Sequence, residues 1–152
     1  AAAAVNLAQV PLVDMTIKEG SLQLAPARPG EPAFQLPPGH PDAGQQIAAW
    51  YFWLFPHTMV NIYPWGISIN RVVSLGPERM AVHFDRWSWD PDSTPSGAGA
   101  DLDIVEAEDA DVVLRVAEGV RGQRAIRGRY APEAERGVHH FHRLLQDQLS
   151  GP

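Results

Sequence analysis

The stretch Leu102–Val120, "LDIVEAEDADVVLRVAEGV", poses the question on which the fold turns. Wound at about 100° per residue, it puts Leu102, Val105, Val112, Val113, Val116 and Val120 on one face, with Asp109 in the middle of that face. A carboxylate stands where a valine would be expected. Two readings are open. Either the helix begins here and Asp109 is an N-cap that accepts from backbone N–H groups, or it begins near Asp101 and Asp109 faces inward. An inward carboxylate needs a partner or a metal, because an isolated buried charge costs several kcal/mol or is lost by protonation.

Upstream of this stretch the hydrophobic period is two rather than 3.6. "VDMTIKEGSLQLA" reads as one or two strands with Glu19-Gly20 as a turn or bulge. "WYFWLFPHTMVNIYP" is apolar almost throughout, as in a strand buried on both faces or lining a pocket. "GISINRVVSLG" points Ile67, Ile69 and Val72 or Val73 inward, and "RMAVHFDRWSWD" alternates Met80, Val82 and Phe84 against Ala81, His83 and Asp85. Together these predict an antiparallel meander. Pro26, Pro29, Pro32, Pro37, Pro38 and Pro41 make the segment before it a long irregular loop, of a length that in compact domains is usually functional or disordered. After Val120, "GQRAIRGRY" reads as a short extended piece. "PEAERGVHHFHRLLQDQL" then reads as an amphipathic helix with Val138, Phe141, His142, Leu145 and Leu149 on one face. Sheet first and helices last is an α+β arrangement.

The totals restrict the function. With 152 residues, 45% of them hydrophobic, and five tryptophans, the chain supports one compact domain. A formal net charge of −6, with 12 Lys and Arg against 18 Asp and Glu, offers no basic stripe for nucleic acid. The absence of cysteine removes disulfides, thiolate metal sites, cysteine nucleophiles and Cys-ligated clusters. The opening "AAAAVNLAQVPLV" is too short and too lightly apolar to span a membrane and lacks the basic flank of a secretory signal, so the expectation is a soluble, cytoplasmic protein. No P-loop, dinucleotide fingerprint or Ser-His-Asp order is present.

Among single residues, His139 and His140 project away from the apolar stripe and are expected in solvent, whereas His142 lies on it and is expected to bond a carbonyl or acid. His40 and His83 are assigned nothing. The aromatic run Trp50, Tyr51, Phe52, Trp53 and Phe55, with Tyr63 and Trp65, is core or the wall of a pocket. As a wall it also suits a quaternary ammonium ligand through cation–π contact. His57 would then stand at the mouth of that pocket.

Three segments, "YFWLFPHTMVNIYPWGISINRVVSLGPERMAVHF", "VEAEDADVV" and "GRYAPEAERGVHHFHRLLQDQL", occur in the order found in one family. Over roughly residues 50–149 the chain resembles the C-terminal catalytic domain of the large (alpha) subunit of Rieske-type ring-hydroxylating oxygenases. The resemblance implies an α+β helix-grip fold of the START and Bet v 1 kind, an antiparallel sheet curled around a long helix and a ligand pocket. It gives a flexible tail at 1–13, a single domain at 14–149 with a Pro-rich loop at 26–46, and a short tail at 150–152.

It further implies a mononuclear Fe(II) held by two histidines and a carboxylate, with the carboxylate carried over to Asp109 after Glu108. The substrate pocket is expected to include Trp53, Phe55, His57, Asn61 and Val113. The implied reaction is O2-dependent hydroxylation or demethylation of an aromatic or quaternary ammonium compound. The chain departs from the family where it has no H-x4-H pair among its six histidines and no cysteine for the 2Fe–2S cluster. The iron site is therefore expected to be incomplete. A companion segment or subunit with a Rieske domain, a homo-oligomer (a trimer in the family) and a small-molecule ligand are the expected partners, with neither nucleic acid nor membrane. The alternative is a non-catalytic helix-grip module for a small apolar or amphipathic ligand, and a structural role in an assembly is the third reading.

Overall fold

A computed structural model describes residues 15–17, 20–122 and 128–151. Six strands, β1 (Met15–Ile17), β2 (Gly20–Pro26), β3 (Ile47–Leu54), β4 (Thr58–Tyr63), β5 (Gly66–Ser74) and β6 (Met80–Ser88), form one sheet in chain order with every neighbour antiparallel. Two helices follow, α1 (Leu102–Arg121) and α2 (Arg136–Ser150). The α+β meander expected from the change of period is thus present and is consistent with a helix-grip arrangement. The apolar run 50–64 differs from its reading as one strand. It breaks at Leu54–Thr58, where Pro56 cannot donate to a ladder, and β3 turns back into β4 with Trp53 opposite Met59. The expected extended piece at "GQRAIRGRY" falls largely on residues outside those described, and 128–130 carry no regular structure.

Register sorts the side chains onto two faces. One face carries an unbroken lateral row, in which Gln23 pairs with Tyr51, Tyr51 with Asn61, Asn61 with Ser68 and Ser68 with Arg86. The other carries Leu22, Leu24, Trp50, Phe52, Ile62, Ile67 and Trp87. On β5 the more buried set is Gly66 and Ser68, not Ile67 and Ile69. The polar face wins because the connection to α1 and the start of α1 lie over it, and Asn61 Nδ2 donates to the buried Ser68 hydroxyl at 3.0 Å. β6 is an edge strand, with Met80, Val82 and Phe84 all exposed.

The core on the polar face is Ala25, Ala49 and Tyr63, against which Tyr51, Trp65, Ala98 and Leu102 pack. Tyr63 ends β4 and Trp65 lies in the two-residue turn that leads to β5, and their rings stack at 5.0 Å with planes 3° apart. Trp65 Nε1 donates to the Ala98 carbonyl at 2.8 Å, and Trp89 Nε1 donates to the Tyr63 carbonyl at 3.1 Å. These bonds fix the irregular segment 89–101 and so fix where α1 starts. Gly99, at φ +76°, allows the Tyr63 ring to close over the backbone. A Cβ there would lie 2.5 Å from Tyr63 Cζ.

Gly99→Ala is therefore expected to cost about 2–4 kcal/mol, backbone strain plus overpacking. Gly30→Ala, also at positive φ but with nothing within 4 Å of the new Cβ, should cost only the strain, about 1 kcal/mol. Urea unfolding of both variants checks this, and equal losses would show that the Tyr63 contact carries no weight.

Candidate functional site

Helix α1 begins at Leu102, with Asp101 before it, and runs unbroken to Arg121. Asp109 is thus two turns inside the helix and is not its cap. Leu102 is anchored in the core, Arg86 Nη2 pairs with Asp103 at 2.9 Å, and Arg121 pairs with Glu78 at 4.0 Å beyond the far end of β6. The helix is therefore tied near both ends along the β6 side of the sheet. Between the ties it buries no residue. Val105, Val112, Val113, Val116 and Val120 are all exposed. Leu102, Glu106, Asp109, Val113 and Ala117 follow one another at helical spacing on the face set toward the sheet by Leu102. The candidate site, termed the cleft, is the region between this stripe and the polar sheet face, where α1 is exposed from Asp109 to Val116.

The cleft has a distinctive electrostatic character. Three buried side-chain polar atoms among the described residues make no hydrogen bond, Asn70 Oδ1, Glu106 Oε1 and His140 Nε2. All three belong to the side of the sheet that carries the helices. Asn70 lies two residues from Ser68 on the same face, and His140 meets Trp53 edge-on at 6.2 Å. Loss of water around Glu106 raises its carboxyl above the ordinary value. The Arg86 guanidinium opposes that shift, and Asp103 and Asp109 add to it. Burial likewise raises the Tyr51 and Tyr63 hydroxyls, with the charge of Glu106 a small further contribution at Tyr63. A second, aromatic cluster lies between α2 and the end of β3. Phe141 packs on Trp53 at 5.4 Å and on Phe55 at 6.2 Å.

The family model for the ring hydroxylating alpha subunit (catalytic domain) matches residues 14–151. The chain belongs to this family. Choline monooxygenase, chloroplastic, of Arabidopsis thaliana is 36% identical over 107 residues, which are 66% of this chain and 25% of that protein. The namesake from Spinacia oleracea is 30% identical over 109 residues, 68% of this chain and 24% of that protein. The chain thus spans about a quarter of the length of these curated relatives. No solved structure matches it.

Set against this catalytic-domain family, the expected site residues divide. Trp53 and Phe55 come together with Phe141 at one end of the cleft. Asn61 is buried in the polar row on Ser68. Val113 and Asp109 share the cleft stripe of α1, both exposed. His57 stands exposed at the tip of the β3–β4 turn, its Nδ1 3.1 Å from the Thr58 hydroxyl. The histidines of α2 reverse the expectation. His140 is half-buried against Trp53, whereas His142 is exposed and bonds the Tyr130 hydroxyl.

Sequence reasoning missed Glu106, Ser68, Asn70 and Arg86 as members of the site. The signal was present in "NIYPWGISIN", where Asn61, Ser68 and Asn70 recur in phase on otherwise apolar strands. Among the described residues, the cleft stripe of α1 carries two carboxylates, Glu106 and Asp109. No group of three or more His, Cys, Asp or Glu among them is placed to hold a metal ion, so the family's two-histidine, one-carboxylate set is not completed by these residues, and no chemical step is assigned through it. No helix among the described residues is long and apolar enough to cross a membrane.

Glu106 gives a pH prediction with a definite sign. A carboxyl whose folded-state value is raised binds more protons in the folded chain, so its contribution to stability is fully present below the unfolded value of about 4.5 and is lost as pH rises through the higher folded value. Glu106→Gln should therefore raise the thermal midpoint at pH 7, with the gain shrinking toward zero as pH falls below that unfolded value. Thermal melts at several pH values check it, and a gain independent of pH would assign the effect to packing instead of charge.

Proposed function

We propose that the chain is the C-terminal catalytic portion of a Rieske-type non-haem iron oxygenase, with Asp109 as the carboxylate ligand that it contributes. The family match over 14–151 is the observation that carries the reading. The exposed position of Asp109 on the cleft stripe of α1 supports it, because a carboxylate there is open to an arriving cation. The histidine pair and the 2Fe–2S cluster come from a companion segment or subunit, and the assembled oxygenase is a homo-oligomer. When bound, the mononuclear iron supplies O2 activation. This chain's own residues shape and polarise the substrate cleft.

The substrate we favour is a quaternary ammonium compound such as choline. Both relatives are named choline monooxygenase, and the Trp53, Phe55 and Phe141 cluster at the cleft's end offers aromatic faces to a cation. Glu106 and Asp109 add negative charge beside it. The reaction is O2-dependent hydroxylation or oxidative demethylation of that compound, and the relatives' chloroplast location remains a property of those proteins. A second reading, a non-catalytic module for a small amphipathic ligand, draws on the same cleft, where Val113 and the free Asn70 Oδ1 would meet a ligand without metal.

In the complete oxygenase, Asp109→Ala is expected to lower both iron content and choline-dependent O2 uptake by more than about a hundredfold, since changes outside the ligand shell already reach that scale. The 152-residue chain alone should retain well under about one tenth of an equivalent of Fe(II) after anaerobic loading and dialysis. Iron retained in full by the Asp109→Ala oxygenase would sink the ligand assignment. Uptake driven by benzoate and not by choline would replace the substrate class.

A further inference from the structure

The Pro-rich segment that the sequence set apart packs on the opposite side of the sheet from α1. Ala27 N donates to the Gln46 carbonyl at 2.8 Å and Phe34 N to the Ile47 carbonyl at 2.9 Å, so the loop's two ends are joined and its middle is stitched to the start of β3. The Phe34 ring lies 4.2 Å from Trp50. Between the loop and the sheet is a groove of about 470 Å³ whose floor is Leu22, Leu24, Trp50 and Phe52. Its wall is the turn His40–Asp42. That volume lies within the ~300–1,000 Å³ range of small-molecule sites.

The polar groups at the wall have a defined arrangement. The Asp42 backbone N–H donates to His40 Nδ1 at 3.1 Å. Asp42 Oδ2 lies 3.8 Å from His40 Nδ1, beyond hydrogen-bond distance. Asp42 Oδ1 accepts from Gln45 Nε2 at 3.2 Å, and Oδ2 accepts no hydrogen bond among the described residues. None of the residues lining the groove is Lys or Arg. An indole, a phenyl ring and a carboxylate with one oxygen free of hydrogen bonds among the described residues therefore border one apolar groove, a combination complementary to a positive charge carried on an apolar body.

We propose that this back-face groove is a second ligand site, separate from the α1 cleft, and that it takes a small organic monocation of the alkyl- or arylammonium class. Asp42 faces the charge, the Trp50 indole lies against the cationic head, and Leu22, Leu24 and Phe52 hold the apolar body. Trp50 and Trp53 point to opposite faces of β3, so the two sites report separately.

The test is titration of the ¹⁵N-labelled 152-residue chain with benzyltrimethylammonium. The indole N–H resonances are followed after assignment with Trp50→Phe and Trp53→Phe, and benzyl alcohol serves as the neutral counterpart. The expected result is a saturable shift of the Trp50 resonance, weakened about five- to tenfold by Asp42→Asn, the scale of one partly exposed charge contact. Raising the ionic strength of the unmodified chain should weaken the cation in the same sense and leave benzyl alcohol unaffected. A Trp50 resonance that does not move, movement at Trp53 alone, or binding at Trp50 indifferent to both Asp42→Asn and salt would each overturn the proposal. In the last case the groove is a neutral apolar site.

Discussion

Tyr63 lies flat on Trp65, meets Tyr51 edge-on at 6.1 Å, and closes over the backbone at Gly99. Each aromatic pair of this kind adds only about 0.5–1.5 kcal/mol beyond the area it buries. The geometric consequence is larger than that sum. Trp65 is bonded to Ala98 and Trp89 to Tyr63, so the β4–β5 turn holds both ends of the segment that delivers α1 to the sheet. Leu102, the first residue of the helix, enters the same cluster. The position of every cleft residue on α1 follows from that single attachment and from the ion pairs of Asp103 and Arg121.

A helix held near its ends and not along its length leaves its apolar stripe free to act as a wall. This accounts for the combination of five exposed valines on α1 with an aspartate among them. In a packed interface, Asp109 would face the several-kcal/mol cost of desolvation; in an open cleft it does not. The partial burial that exists is concentrated one turn earlier, at Glu106, where Arg86 offsets it incompletely. The polar row on the facing strands follows the same logic. Asn61 and Ser68 satisfy each other at 3.0 Å, and Asn70 Oδ1 is left over. The sheet thus presents a surface that is stable as folded yet retains hydrogen-bonding capacity on one side only.

Much of this was legible in the residues. The switch of period at Asp101 located α1, the period of two upstream of it located the antiparallel meander, and the three family segments pointed to the α+β fold. Three things were not legible, each for a physical reason. Pro56 split an apolar run that periodicity alone could not divide. The face of β5 that is buried depends on which side the helix covers, and the alternation in "GISIN" does not state that. His140 and His142 exchanged roles because the face of α2 that meets Trp53 is set by the short aromatic contacts of Phe141 and not by the full apolar stripe, most of which, Val138, Leu145 and Leu149, is exposed.

The opening alternatives for Asp109 resolve into a third state. The helix runs through it, which removes the cap, and yet the residue is exposed, which removes the buried charge. The stripe of Glu106, Asp109, Val113 and Ala117, set toward the half-buried Asn70, favours a filling that is apolar over part of its surface and positive at one end of it. A metal ion alone meets only the second requirement, and a neutral hydrocarbon only the first. A cation beside an apolar substrate meets both, whether that cation is the iron supplied with a companion segment's histidines or the ammonium head of the substrate itself. In the proposed oxygenase the two occupy one cleft together. The difference between the exposed Asp109 and the partly desolvated Glu106 then has a physical meaning. The solvated group carries its charge to a metal at little prior cost, whereas the desolvated one gains most from a cation that excludes water from it.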